Sequence, residues 1–83
     1  MNFKEIISSA GRNKHTIILT AREQDGSVET REAEPYSYRI KGGRELFFCY
    51  DINKQGTRSF GVNDIIEVKE TNNSFNPRWP IEV

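Results

Sequence analysis

Cysteine, histidine and tryptophan each occur once, as Cys49, His15 and Trp79. A single thiol excludes an intramolecular disulfide and a cysteine-cluster zinc site. One imidazole and one thiol also fall short of the three or four ligands a zinc ion needs, so no metal site is expected. Net charge is missing too: twelve basic residues balance twelve acidic ones, and the pI is about 6.6. No global positive field draws in nucleic acid or anionic lipid, and attraction to phosphate has to come from a local patch. No apolar run approaches membrane-spanning length, and the opening residues 1–7 lack the apolar segment of a signal peptide. A cytoplasmic protein with no membrane partner is expected. At 83 residues the chain is read as one domain, 1–83, with one modest core and no room for a doubly wound sheet.

Catalytic constellations fail on inventory. His15 has no nucleophile-elbow serine to serve, and nothing in the sequence brings it to Cys49, which lies in the apolar run Leu46-Phe47-Phe48-Cys49-Tyr50. That run makes Cys49 a small buried hydrophobe. Asp51, Asn53 and Gly56 lack the spacing of a calcium loop and read as a turn. Glu32 and Glu34 share a strand face with nothing sequestering around them. Gly42-Gly43 has neither the spacing nor the following helix of a phosphate cradle. No catalytic residue, no cofactor and no enzyme are expected.

What is present reads as a small, mainly β fold. Phe3, Ile6, Ile7 and Ala10 recur at helical spacing, Asn2 can cap the start, and Gly11 reads as a stop, giving one short helix over about residues 3–10. From Lys14 to Arg22 the period becomes two. Asp25-Gly26 marks a hairpin turn before a charged strand from Val28 to Ala33, which suits an exposed position. Glu34-Pro35 marks a break or bend before Tyr36 to Lys41. Gly42-Gly43 is the next turn, and Glu45 to Ile52, apolar on both faces, reads as a central strand. After a turn at 53–56 and a bend at Gly61, a last strand runs from about Ile65 to Glu70. Residues 71–74 read as a polar loop. The tail 75–83 carries Phe75, Trp79 and two prolines, and burying its large side chains against the domain is worth roughly 1.5–3 kcal/mol each. Five or so short strands after one helix suit an antiparallel sheet closing into a small barrel.

Binding chemistry concentrates in the middle of the chain. Arg39 and Lys41 share a strand face, Arg44 follows the turn, and Arg58 joins them if the fifth segment starts near the end of the fourth. Tyr38 and Tyr50 lie beside them in sequence, and arginine forks with aromatic rings suit phosphates and bases.

The order Glu34-Pro35-Tyr36, then Leu46 to Asp51, then Arg58-Ser59-Phe60 through Ile65 resembles the WYL domain family. Members have an Sm-like or SH3-like small β-barrel, usually behind a winged helix-turn-helix in bacterial transcription regulators, and sense a ligand, with nucleic acid among the proposed ones. Arg58 and Phe60 match the family's arginine-containing motif, Val62 and Ile65 match as apolar positions, and Asp64 stands where a second arginine is usual. The resemblance implies a divergent, stand-alone member without the winged-helix part. Two functions are therefore expected to compete. In one, Arg58, Arg39, Arg44, Tyr38 and Tyr50 bind an anionic ligand, a nucleotide or single-stranded nucleic acid. In the other, the module docks a protein partner through Trp79 and Phe75, or forms a homodimer.

Overall fold

The computed structural model of the chain describes residues 2–83. Helix α1 (Phe3–Asn13) starts as its sequence dictates: the Asn2 side chain accepts the Glu5 N–H at 2.9 Å. It does not stop at Gly11. That residue is buried inside the last turn, and Lys14, in left-handed backbone at φ 56°, closes the helix by donating its N–H to the Ala10 and Gly11 carbonyls. Gly11 serves close packing instead, because a β-carbon there would stand 2.5 Å from Val83 Cγ2 and 3.1 Å from Ile81 Cγ2.

Five antiparallel strands follow: β1 (His15–Arg22), β2 (Val28–Lys41), β3 (Arg44–Asp51), β4 (Gly56–Gly61) and β5 (Ile65–Ser74), with a single 3-10 turn (Val62–Asp64) before the last. They form one sheet in the order β4-β3-β2-β1-β5. The mainly β architecture with one N-terminal helix is therefore as read. Closure is not. Among the described residues no ladder joins the edge strands β4 and β5. The six-residue β4 ends at the 3-10 turn, and the gap between it and the β1–β2 turn is bridged by side chains, with Arg58 donating to Glu23.

Three further expectations change, each for a local reason. Pro35 bulges the chain rather than breaking it: Pro35 pairs with Cys49 and Ser37 with Phe48, so Tyr36 is an extra residue and 28–41 is one strand. The charged segment 28–33 is not simply exposed, because Arg31 is buried against Asp51. Residues 71–74 are not a loop but the end of β5, where Ser74 pairs with His15 and the Thr71 hydroxyl donates to the Thr16 carbonyl. Gly42 and Gly43, at φ 57° and 78°, make the expected β2–β3 hairpin turn.

Alternation then places the core. Ile17, Leu19 and Ala21 of β1 and Phe47 and Cys49 of β3 face the same side, where Ile7 and Ala10 of α1 cover them. Burial pushes the Cys49 thiol up to about 12. On the other face, residues 75–79 of the tail fold back over the sheet, and Ile81 and Val83 then reach Gly11 of α1. Trp79 stacks on Tyr36 with ring centroids 4.3 Å apart, Phe75 meets the same ring edge-on at 5.9 Å, and the Glu82 N–H donates to the Tyr36 carbonyl. The helix is tied to β1 and β5 by Glu70, whose carboxylate accepts from Ser9 at 2.6 Å and Asn13 at 2.9 Å and lies 2.7 Å from His15 Nδ1.

Candidate functional site

A cavity of about 680 Å³ opens where the sheet fails to close, between the β1–β2 turn, β4 and the 3-10 turn. Arg22, Arg44 and Arg58 line it with Phe60, and Glu23 and Asp64 stand among them. Strand pairing explains the arrangement. Arg58 lies opposite Cys49 and Phe60 opposite Phe47, so both point to the inner face. Arg44 reaches the rim because Gly61 lacks a side chain; a β-carbon there would stand 2.6 Å from Arg44 Nη2.

The charges are compensated. Arg58 Nη2 donates to Glu23 Oε1 at 2.9 Å and its Nη1 lies 3.8 Å from Asp51 Oδ2. Glu23 Oε2 accepts from Arg31 Nη2 at 2.7 Å, so one carboxylate bridges two guanidinium groups. Arg31 in turn donates to Asp51 Oδ2 at 2.7 Å, in a pair whose side chains are 4% and 1% exposed. Burial pushes the Asp51 carboxyl up, but the Arg31 hydrogen bond and the Lys54 backbone N–H outweigh it and hold the group below its usual range. Both guanidinium groups sit over the Phe60 ring, at 5.1 Å for Arg31 and 5.2 Å for Arg58. Arg44 is 3.5 Å from Asp64 and its side chain remains 66% exposed. Three arginines and four carboxylates line the cavity, so it has local donors without a positive field.

The structure brings Arg44 and Arg58 together but leaves Arg39, Tyr38 and Tyr50 elsewhere. Arg39 pairs with Leu46 across the ladder, on the opposite face from Arg58, and donates to Glu82 of the tail at 3.0 Å. Tyr38 pairs with Phe47 and is packed against it, with Lys4 of α1 5.0 Å from its ring. Burial and nearby Glu45 push its hydroxyl up to about 12. Tyr50 is next to Cys49 in the chain, so it faces away from Arg58 and carries Arg78 at 3.7 Å over its ring. The expected aromatic partners are thus replaced by Phe60.

Phe75 and Trp79 pack on Tyr36 of their own chain, with Trp79 still 39% exposed. The Tyr36 hydroxyl donates to Glu34 Oε1 at 2.5 Å and accepts the Arg78 backbone N–H at 3.0 Å. Burial pushes that hydroxyl up to about 12, against the Arg78 N–H, which acts to lower it.

Sequence reading missed Arg22, Glu23, Arg31 and Asp51. Arg31 had a usable signal: it is two residues from the apolar Ala33 and so shares its face of the strand. Glu23 had none, since its role depends on how a turn meets a strand 35 positions later.

No family model and no curated protein matches the sequence. Among solved structures, the chain is similar to proteasome accessory factor B/C (PafBC) of Arthrobacter aurescens, with a TM-score of 0.75 at 18% identity. The likeness covers 94% of this chain and 13% of that one, and it is a likeness of fold. Among the described residues no helix is long and apolar enough to cross a membrane.

Proposed function

We propose that the chain is a WYL-like, non-enzymatic binding module working in the cytoplasm of a bacterial cell as part of transcription regulation. Its ligand is anionic, a nucleotide or single-stranded nucleic acid, held in the cavity of Arg22, Arg44 and Arg58. One observation carries this reading: three guanidinium groups and the Phe60 ring border a single concave space of about 680 Å³. That combination supplies forked donors for phosphate, with Phe60, buried beneath Arg31 and Arg58, backing the guanidinium groups. Arg58 and Phe60 also stand where the sequence resembles the WYL arginine motif, and the likeness to a segment of PafBC supports the fold that this reading needs. Because four carboxylates offset the arginines, binding rests on direct contact rather than on long-range attraction.

The competing reading, a protein-docking or self-associating module, draws on the exposed part of Trp79 and on Ile40, which is 73% exposed. The tail already uses Phe75 and one face of Trp79 internally, which favours the cavity.

The test is fluorescence polarisation with a labelled nucleotide and a labelled short single strand, across a salt series. Binding weakened about tenfold by Arg58→Ala or Arg44→Ala, and reduced by salt, supports the proposal. Binding unaffected by either variant overturns it. Concentration-dependent association abolished by Trp79→Ala, without ligand binding, supports the docking reading instead.

A further inference from the structure

Arg31 and Arg58 share one bridging carboxylate, and its fit to them is incomplete. Glu23 Oε1 takes Arg58 Nη2 and Oε2 takes Arg31 Nη2, which uses both oxygens. Arg31 Nε is nonetheless buried with no hydrogen-bond partner. In a planar guanidinium, Nε–H and the adjacent Nη2–H lie along one edge, the edge that pairs side-on with a bidentate acceptor. Glu23 cannot serve that edge with two oxygens while also reaching Arg58. An unmet donor on a buried cation is costly, and a group with three oxygens would remove the deficit.

Charge leads to the same place. Asp51 compensates one of the two cations from below, and Glu29 approaches Arg31 at 3.2 Å from a half-exposed position. Without Glu23, Asp51 and the half-exposed Glu29 balance the two guanidinium groups, and only Asp51 does so from a buried position. Glu23, Glu29 and Arg58 line the cavity and Arg31 does not, so the Glu23 and Glu29 carboxylates lie between the open space and Arg31, Glu23 with the shorter contact. Glu23 also sits at the mouth of a turn that closes on its own backbone bonds, Glu23 N–H to the Ser27 carbonyl at 2.7 Å and Gly26 N–H to the Glu23 carbonyl at 3.0 Å. Its side chain can rotate away while those bonds persist.

We infer that Arg31 and Arg58 form a two-guanidinium seat for a phosphate monoester, and that Glu23 is a tethered internal occupant which the phosphate displaces. The inference rests on the anion-binding reading of the cavity and specifies it. Two phosphoryl oxygens replace those of Glu23 and the third meets Arg31 Nε. A diester, with only two unsubstituted oxygens, gains less. A tethered carboxylate lowers the apparent affinity by the fraction of time it fills the seat, so neutralising it exposes the full affinity.

The experiment is calorimetric titration of the full chain with inorganic phosphate, phenyl phosphate and dimethyl phosphate. Wild type, Glu23→Gln and Glu23→Asp are compared, each first shown to be folded by its amide spectrum. Glu23→Gln is expected to bind phenyl phosphate at least about tenfold more tightly than wild type and to prefer it over dimethyl phosphate. Glu23→Asp, one methylene too short to bridge both arginines, falls between the two. Arg31→Lys in the Glu23→Gln background abolishes the gain. Equal or weaker monoester binding by Glu23→Gln overturns the seat; if the wild type still binds nucleotide through Arg58, the anion-binding reading survives that result. If no variant takes up any probe or nucleotide, both fall together.

Discussion

Gly11 and Val83 meet so closely that a β-carbon on the first would stand 2.5 Å from Cγ2 of the second. This contact fixes the end of the tail on the helix, while Trp79 fixes its middle on Tyr36. The tail is thus part of the packing of the domain.

Gly11→Ala separates two opposing effects. Helix propensity gains about 1 kcal/mol, and the displaced Val83 and Ile81 side chains lose packing of similar size. Net stability in a urea melt is expected to change by less than about 1 kcal/mol. The Glu82 amide, which donates to the Tyr36 carbonyl, should nevertheless lose its hydrogen-exchange protection. Retained protection would mean the tail tolerates the added methyl.

Tyr36→Phe removes the hydroxyl shared by Glu34 and the Arg78 backbone. The buried Glu34 carboxylate keeps only its Arg78 contacts, at 3.2 and 3.4 Å. A loss of about 1–3 kcal/mol is expected by chemical denaturation.

Acid should destabilise the fold through Asp51 and Glu70. Burial raises the Asp51 value, but the Arg31 hydrogen bond and other contacts bring it below normal; the Asn13 and Ser9 hydrogen bonds lower that of Glu70. A carboxylate whose folded value is depressed contributes stability that is fully present above its unfolded value, near 4, and is lost as pH falls through the folded value. The urea midpoint should therefore be flat from about pH 7 to 5 and drop below about pH 4. Asp51→Asn should lower the neutral-pH stability by about 3 kcal/mol, since it leaves Arg31 short of a buried counter-charge, and should reduce the drop in acid.

Cys49 is fully buried, and burial pushes its thiol up to about 12. A thiol reagent at pH 8 should label the native chain only as fast as it opens, and addition of urea should make labelling immediate. Rapid native labelling would contradict its place in the core.

Much of the fold was legible from residue spacing, and the failures have a common physical cause. Apolar period and turn residues located the helix, the strands and the Gly42-Gly43 hairpin because those signals are local. Gly11 and Pro35 misled because their effects are tertiary: one accommodates the chain end and the other bulges a strand that tertiary pairing keeps continuous. The candidate site was half legible. Arg44 and Arg58 meet at one cavity, but Arg39 and Tyr50 stand apart from it, since in a strand a shift of one position sends a side chain to the other face. Tyr38, on the same face as Phe47, is taken up by Phe47 and Lys4 of α1. Glu23 and Arg31 became relevant only once the β1–β2 turn was placed against β4.

The most direct check on the account is an amide shift titration of the labelled full chain with a nucleoside monophosphate. Shifts concentrated at residues 22–24, 44, 58–61 and 64, saturable and diminished by Arg58→Ala, are the expected result. Shifts confined to α1 or to the tail 75–83, or a spectrum unchanged at millimolar nucleotide, would contradict the assignment of that cavity as the binding site.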